Sequence, residues 1–487
     1  MKQFDERYLT AIDLGSAKIG ICVALVQEDD VTIVHYKEVP SAGILHSAIY
    51  IPMLTAKAVR KAIEEAEEEL MIKIERVVVG MPRNDVIQVT ASATMERQDP
   101  EEYVSQEEVQ AIKDKALDTY PLPNPDRQAI FGAIAQSFTI DEGIQLSEKD
   151  IVGTLSPTLE GNFKVFVGRK QAVVAIEKMF RGSGVEIGKQ YFLPEVMGRA
   201  VLSKEELKNG VALVDIGAGV TSIAIYRGNI MRYYDAIPFG GSNVTADIET
   251  ECSLDEDLSE KIKKRFGFCQ PEKLGTESDK ILQIRLTEPY REISVKYISE
   301  IVTARYRELI EAILYHIGQS GLQNSLRGGI VITGGAAEQK GLETMIKEMS
   351  GYSVRKGYPK SLFKAPAGSF VFRTSSTAAI GMILAANNEG LPDCSGVSSV
   401  LEVKKEESIE ETQPRSEQNQ SNQLFPEAND GGATTSQIED KVERHRGSKG
   451  RGRKRDTDRN VEQTGTLKLI WNTVEDKLLK LYDNLNE

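Results

Sequence analysis

Asp13, Gly15, Ser16 and Lys18 stand close together in "TAIDLGSAKIGICVALV", residues 10–26. An acid, a tight turn, a small hydroxyl and a cation between two apolar strands are the groups needed to hold a magnesium-bound phosphate. A hairpin built only to make a sheet more usually turns through Asn-Gly or Gly-Gly. The pattern returns in "VALVDIGAGVTSIAIY", 211–226, as apolar strand, Asp215, Gly217, Gly219, Thr221 and apolar strand. A repeat this distant points to two related halves rather than a solenoid, whose units run to roughly 20–50 residues. Two facing hairpins can clamp a polyphosphate from opposite sides. Glycine-turn N–H groups would bind its oxygens, and Asp13 and Asp215 would hold waters of a magnesium ion, which keeps several of them. A third stretch, "GGIVITGGAAEQKGLETMIKEM", 328–349, runs from a strand into Gly334-Gly335 and then a helix. That glycine pair lets a ligand approach the backbone at a helix N-terminus, as the nucleoside side of a nucleotide cleft would require.

The rest of the chain must position these turns. At 487 residues and 40% hydrophobic content it exceeds one ordinary core and predicts two or more domains. A net charge of −13 argues against a general nucleic-acid binder, and no nucleic-acid partner is expected. Cys22, Cys252, Cys269 and Cys394 have no metal-ligand spacing and fit reduced thiols. The N-terminus carries no apolar signal region and no run approaches a spanning helix, so a cytoplasmic chain that can still touch a membrane is expected.

Strands are predicted at "VTIVHYKEV" and "RVVVGM", with a helix over "TAKAVRKAIEEAEEELMI" between them. From about 84 to 168 the rhythm changes to a strand–helix–strand–strand unit, its helix opening on Ser105 with Glu108 at the capping-box position. Further helices are expected over "QAVVAIEKMFRGSG", over "DLSEKIKKRFG", from Glu292 to about Gly318, and over 374–390.

Together these residues resemble the actin, hexokinase and Hsp70 superfamily. The two hairpins resemble its phosphate motifs and "FLPEVMGRAVLSKEEL" its first connecting helix. Gly334-Gly335 resembles the adenosine motif and "STAAIGMILAA" the second connecting helix. Within that superfamily the unit at 84–168 and the tail resemble the FtsA family of bacterial cell-division proteins. The resemblance implies an α/β, actin-like two-domain ATPase fold with an FtsA-type inserted subdomain, a disordered linker and a C-terminal amphipathic helix. Its implied divisions are subdomain 1A at 1–83, 169–202 and 374–390, the insertion 1C at 84–168, subdomain 2A at 203–235 and 301–373, subdomain 2B at 236–300, the linker at 391–464 and the helix at 465–487.

Carried over by position, Asp13, Gly15, Ser16 and Lys18 form the first phosphate loop and Asp215, Gly217, Gly219 and Thr221 the second. Glu260 and Lys263 match the adenine-side pair, and Gly334, Gly335 and Ala336 the ribose side. The cofactors implied are ATP and Mg. Many relatives begin the first connecting helix with Glu-Pro, where the glutamate can orient an attacking water. Here Leu193 takes that place before Pro194, and Glu195, the candidate catalytic residue, comes one position late, a rotation of about 100° on a helix. ATP binding is therefore expected, with slow or absent turnover. Arg305 and Glu308 in "VTARYREL" match the helix segment on which the family receives the C-terminal peptide of FtsZ, although Thr303-Ala304 replaces the family's preceding Glu-Pro.

Composition breaks after 390. Residues 391–464 are rich in Ser, Gln, Asn, Glu, Gly and Lys and cannot bury enough surface to fold; their flexible reach would be on the order of 45–50 Å. Beyond them, Leu467, Ile470, Trp471, Val474, Leu478, Leu481, Tyr482 and Leu485 fall on one helical stripe. Such a helix can lie in a membrane interface, dock on a partner or fold back on the body. The basic run at 441–459 would by itself suit a solvated surface or RNA, but beside this stripe it favours an anionic membrane surface. The function implied is an ATP-binding protein that polymerises with itself and anchors FtsZ, among other division proteins, to the cytoplasmic face of the cell membrane at the septum. A PilM-type pilus-assembly scaffold and a small-molecule kinase are the alternatives.

Overall fold

The strands at the centres of the two five-stranded sheets, Arg7–Leu14 and Val211–Ile216, are each covered by apolar side chains on both faces. A computed structural model describes residues 6–28, 30–140, 143–284, 291–366 and 369–396. The first half runs β1 (Arg7–Leu14), β2 (Lys18–Gln27), β3 (Asp30–Pro40), the short pair β4 (Ile44–Leu45) and β5 (Ala48–Ile49), α1 (Pro52–Leu70) and β6 (Arg76–Gly80). An inserted unit follows: β7 (Ile87–Glu96), α2 (Gln106–Thr119), β8 (Gln128–Thr139), β9 (Gln145–Leu146), α3 (Glu148–Ile151) and β10 (Thr158–Arg169). Next come α4 (Lys170–Ser183), β11 (Glu186–Tyr191), α5 (Leu193–Val201) and α6 (Lys204–Asn209). The second half holds β12 (Val211–Ile216), β13 (Thr221–Arg227), β14 (Ile230–Ile237), α7 (Gly241–Cys252), α8 (Glu256–Phe266), β15 (Ile281–Ile284), β16 (Arg291–Ser294) and α9 (Val295–Gln319). It closes with β17 (Ile330–Thr333), α10 (Leu342–Ser350), β18 (Val354–Lys356) and α11 (Thr377–Asn388).

The two large sheets have one topology. The first is ordered β11-β6-β1-β2-β3 and the second, read from its other edge, β18-β17-β12-β13-β14. In each, the central strand is antiparallel to its hairpin partner and parallel to the strand returned by a helical crossover. The alternation of side chains along β1 builds the layers. Leu9 and Ala11 join a core shared with Leu213 and Ala224 of the second half, into which α5 and α11 are sandwiched. Ile12 points the other way, against Val59, Ala62, Ile63 and Ala66 of α1. Val214 and Ile223 of the second sheet likewise face α7, α9 and α10. Small residues let the two inner helices touch: a Cβ on Gly381 of α11 would lie 3.0 Å from the backbone of Val196 in α5.

The inserted sheet is ordered β7-β10-β8-β9. Its helix α2 is closed by both halves of the Ser105–Glu108 capping box, and Arg97, nearly fully buried, binds both Glu108 oxygens and the carbonyls of Glu102 and Ser156. The unit is stitched to β14 of the second half, where Gln136 donates to the Met231 carbonyl at 3.1 Å and accepts from Arg232.

Three expectations change. The long helix begins at Val295, because Arg291–Ser294 pair with β15 and Ser294 caps α9. The first connecting helix breaks at Leu202, where Ser203 and Glu206 start α6 with a capping box of their own. Residues 391–396, expected in the linker, instead extend the first sheet's base. Cys394 donates its N–H to the Tyr8 carbonyl at 2.8 Å, its carbonyl accepts from Glu75 at 3.0 Å, and Gly396 donates to Lys73 at 3.0 Å. These bonds lie at the starts of β1 and β6, the ends remote from Asp13 and Gly80. The basic run and the stripe residues Leu467, Ile470, Trp471, Val474, Leu478, Leu481, Tyr482 and Leu485 lie outside the described residues.

Candidate functional site

Each central strand carries its acid one residue before its end: Asp13 of β1 lies opposite Gly20, and Asp215 of β12 opposite Ser222. The turns that follow are the same turn twice. Gly15 donates its N–H to the Lys18 carbonyl at 3.0 Å, and Gly217 donates to the Val220 carbonyl at 2.9 Å. A Cβ would come within 2.6 Å of the Lys18 carbonyl oxygen at Gly15 and 2.8 Å of the Val220 oxygen at Gly217, so both positions exclude other residues. The turns meet: a Cβ on Gly219 would lie 2.9 Å from Ser16 Oγ, and His46 Nδ1 reaches the Gly219 carbonyl at 2.8 Å.

Between the acids lies a residue that no sequence motif marks. Arg83, in the loop after β6, places Nη2 3.1 Å from Asp13 Oδ1 and Nε 3.1 Å from Asp215 Oδ2, the latter an ion pair rather than an aligned hydrogen bond. Its backbone is held from both halves, its N–H donating to Ser47 Oγ at 3.1 Å and its carbonyl accepting from Tyr234 Oη at 2.5 Å. Burial works against the guanidinium's charge, but Asp13 and Asp215 outweigh it and hold its pKa above the ordinary value. Burial raises the Asp215 carboxyl, and Arg83 offsets only part of that rise. No sequence signal marks Arg83. Parallel pairing sets Ile12 beside Val79 and Val214 beside Ile332, so the loop Gly80–Arg83 of the first half matches Thr333–Ala336 of the second, a correspondence that only the paired sheets reveal.

Lys18 turns from the acids. It pairs with Glu38, which also accepts from Tyr36 Oη at 2.7 Å and Ser375 Oγ at 2.9 Å. Burial opposes ionisation of Glu38, yet Lys18 and these donors keep its pKa below the usual carboxylate value. Thr221 is fully buried, its hydroxyl donating to the Phe239 carbonyl at 3.0 Å and so shaping the approach to α7 rather than facing a ligand.

Across the second half the expected nucleoside-side residues converge. Lys263 of α8 is 7% exposed and donates to the Gly241 carbonyl at 2.8 Å and Thr245 Oγ1 at 2.7 Å, with Glu260 Oε2 2.5 Å away. Lys263 is buried and Glu260 half-buried, so the pair is not simply a solvated one; desolvation lowers the Lys263 pKa despite Glu260. A Cβ on Gly241 would lie 2.9 Å from the Ala336 methyl, which places Ala336 beside the pair. Gly334 sits at φ 88°, ψ 166°, where a Cβ would meet Asp215 Oδ1 and the Ile216 carbonyl oxygen, each at 2.4 Å. At Gly335 a Cβ would meet nothing within 4 Å.

Three sequence-predicted residues stand elsewhere. Glu195 binds Arg199 one helical turn on, at 2.5 Å, while Leu193 lines a small cavity with Asp13, Gly80 and Arg83. Arg305 is held by Asp247 of α7 at 2.6 and 2.8 Å and by Glu308 at 2.6 Å, on the outer face of α9.

Two copies of one five-stranded sheet, each ending its central strand in an acid and a glycine turn, define an actin-like protein. Residues 212–381 match the family model for cell division protein FtsA. FtsA of Neisseria meningitidis serogroup B is 29% identical over 362 residues, covering 73% of this chain and 85% of that protein. FtsA of Bacillus subtilis is 26% identical over 359 residues, covering 73% and 79%. These matches make the chain similar to FtsA cell-division proteins over most of its described body. Among solved structures, the PilM-PilN type IV pilus biogenesis complex matches with a TM-score of 0.53 at 15% identity, covering 77% of this chain and 98% of that one, a likeness of fold.

Proposed function

We propose that this chain binds ATP with magnesium between its two acid–glycine turns and serves as a polymerising cell-division protein that holds FtsZ at the cytoplasmic face of the membrane. The observation that carries the nucleotide reading is the convergence of Asp13 and Asp215, from separate sheets, on a single positive charge. Two carboxylates that converge on one guanidinium can also hold the waters of a divalent cation that enters with phosphate. Among the described residues no cluster of three acidic, His or Cys side chains forms a cage, which fits magnesium brought in by phosphate oxygens and water. Bound there, magnesium would neutralise charge on the phosphates. The backbone N–H groups near Ser16 and Ala218 suit the phosphate oxygens, the open face at Gly335 suits a ribose, and the Glu260–Lys263 pair flanks the base. Glu195 is engaged by Arg199 and Leu193 presents no proton acceptor, so this reading gives binding with slow turnover.

The cellular role rests on similarity to FtsA proteins together with the sequence of the tail. That similarity supports a role in cell division; the FtsZ peptide near Arg305 and Glu308, self-assembly, and the amphipathic stripe with its basic run are the finer parts of the proposal. Calorimetry of Mg-ATP binding tests its core. Asp13→Ala and Asp215→Ala are each expected to weaken affinity at least tenfold, about 1.4 kcal/mol, with the body still folded by circular dichroism. Unchanged affinity in both variants refutes the two-turn site.

A further inference from the structure

The guanidinium between the acids changes what the pair can bind. Lys18 is engaged by Glu38, and Lys263 by Glu260 and two oxygens of α7. Arg83 is thus the cation that meets Asp13 and Asp215. It is not a surface arginine that happens to reach them. Its side chain is 11% exposed, and its backbone is fixed by Ser47 from one half and Tyr234 from the other. With both acids ionised, the cluster carries one net negative charge, not two. A free divalent ion approaching it meets a resident positive charge within 3.1 Å of both carboxylates. A phosphate chain entering between the turns restores the need for positive charge, and a guanidinium has five N–H donors, enough to face two carboxylates and a phosphate together.

We propose that Arg83 is a built-in counter-ion of the phosphate site: it keeps divalent metal off Asp13 and Asp215 until phosphate arrives, and then supplies part of the positive charge that phosphate needs. The inference rests on the reading of Asp13 and Asp215 as a cation-facing pair, and two separate measurements tell its failure from the failure of the nucleotide reading.

The first measurement is manganese binding to the nucleotide-free full chain, followed by electron paramagnetic resonance. The parent is expected to bind Mn²⁺ only in the millimolar range. Arg83→Gln is expected to bind it at least tenfold more tightly, and Arg83→Gln with Asp215→Asn to lose that gain. A parent that takes up one Mn²⁺ with a dissociation constant below about 0.1 mM overturns the proposal whether or not the variant folds, and so does a folded Arg83→Gln with the parent's affinity. Arg83→Lys, which keeps the charge on a shorter donor, should behave like the parent.

The second is ATP binding by calorimetry in excess magnesium and in excess chelator. Removing magnesium should weaken the parent by less than about tenfold and Arg83→Gln by more than about a hundredfold. Equal magnesium dependence in the two overturns the proposal. If the parent binds ATP under neither condition, the nucleotide reading falls and this role in phosphate binding falls with it, while the manganese result still reports on the acids.

Discussion

Gly334 and Gly335 are neighbours of the same type whose replacement by alanine should have opposite consequences. Gly334 holds φ 88° and ψ 166°, a region essentially reserved for glycine, where another residue is strained by about 1–3 kcal/mol. The added methyl would also sit 2.4 Å from Asp215 Oδ1 and 2.4 Å from the Ile216 carbonyl oxygen. One of those atoms is backbone and cannot swing away, so overpacking adds about 1–3 kcal/mol. Gly334→Ala should therefore lose about 2–6 kcal/mol, a large part of the 5–15 kcal/mol typical of folded domains. Its unfolding midpoint should fall by at least about 5 °C without nucleotide. At Gly335 a Cβ meets nothing within 4 Å, so Gly335→Ala should keep its stability within about 0.5 kcal/mol. If a nucleoside lies against that open face, however, the methyl occupies its place and ATP affinity should drop at least tenfold. Differential scanning calorimetry and nucleotide titration of both variants give four numbers. The reasoning fails if Gly334→Ala melts with the parent, or if Gly335→Ala binds ATP as tightly as the parent.

Three further outcomes are expected. Arg305→Glu should weaken binding of the FtsZ C-terminal peptide at least tenfold and leave ATP affinity intact, measured by fluorescence anisotropy; equal peptide binding would place the docking face elsewhere. Trp471 is the chain's one tryptophan, so its emission should shift to the blue with anionic vesicles and less with neutral ones. Leu478→Glu should abolish that shift and co-sedimentation, and equal sedimentation of variant and parent argues for a partner-docking helix instead. Glu206 is partly buried, but Arg355 and the Ser203 cap outweigh desolvation and hold its pKa below the usual value. A depressed carboxylate contributes stability above its unfolded pKa and loses it as pH falls through the folded one. Urea midpoints of Glu206→Gln should thus lie below the parent's at neutral pH and converge with them below about pH 4.

The readable parts of this fold were those whose physics is local. An apolar strand ending in an acid and a glycine turn needs only its own residues, and so does the Ser105–Glu108 cap; both were visible in the sequence. Glu292–Ser294 read as the start of a helix because their strand character comes from pairing with β15, a partner that local pattern does not reveal. The break at Leu202 was signalled by Ser203 and Glu206, yet the resemblance to a connecting helix joined the two segments into one. Arg83 was the largest omission. Its loop carries no motif of its own, and its importance appears only when parallel pairing brings the ends of β6 and β1 together. Glu260 and Lys263 were visible as an ion pair, but their burial depends on Gly241 and Thr245, which lie outside their helix.

The strip formed by Cys394 and Gly396 gives the molecule a mooring point. The polypeptide leaves the described body at the bases of β1 and β6, joined to Tyr8, Lys73 and Glu75 by backbone hydrogen bonds, while Asp13 and Gly80 stand at the tips of the same strands. Tension applied through the chain beyond Gly396 therefore enters the two middle strands of a sheet at their roots, and the load is shared along their ladders instead of peeling a loop. Asp13 and Gly80, at the other ends of these strands, lie the length of a strand away from where that load enters.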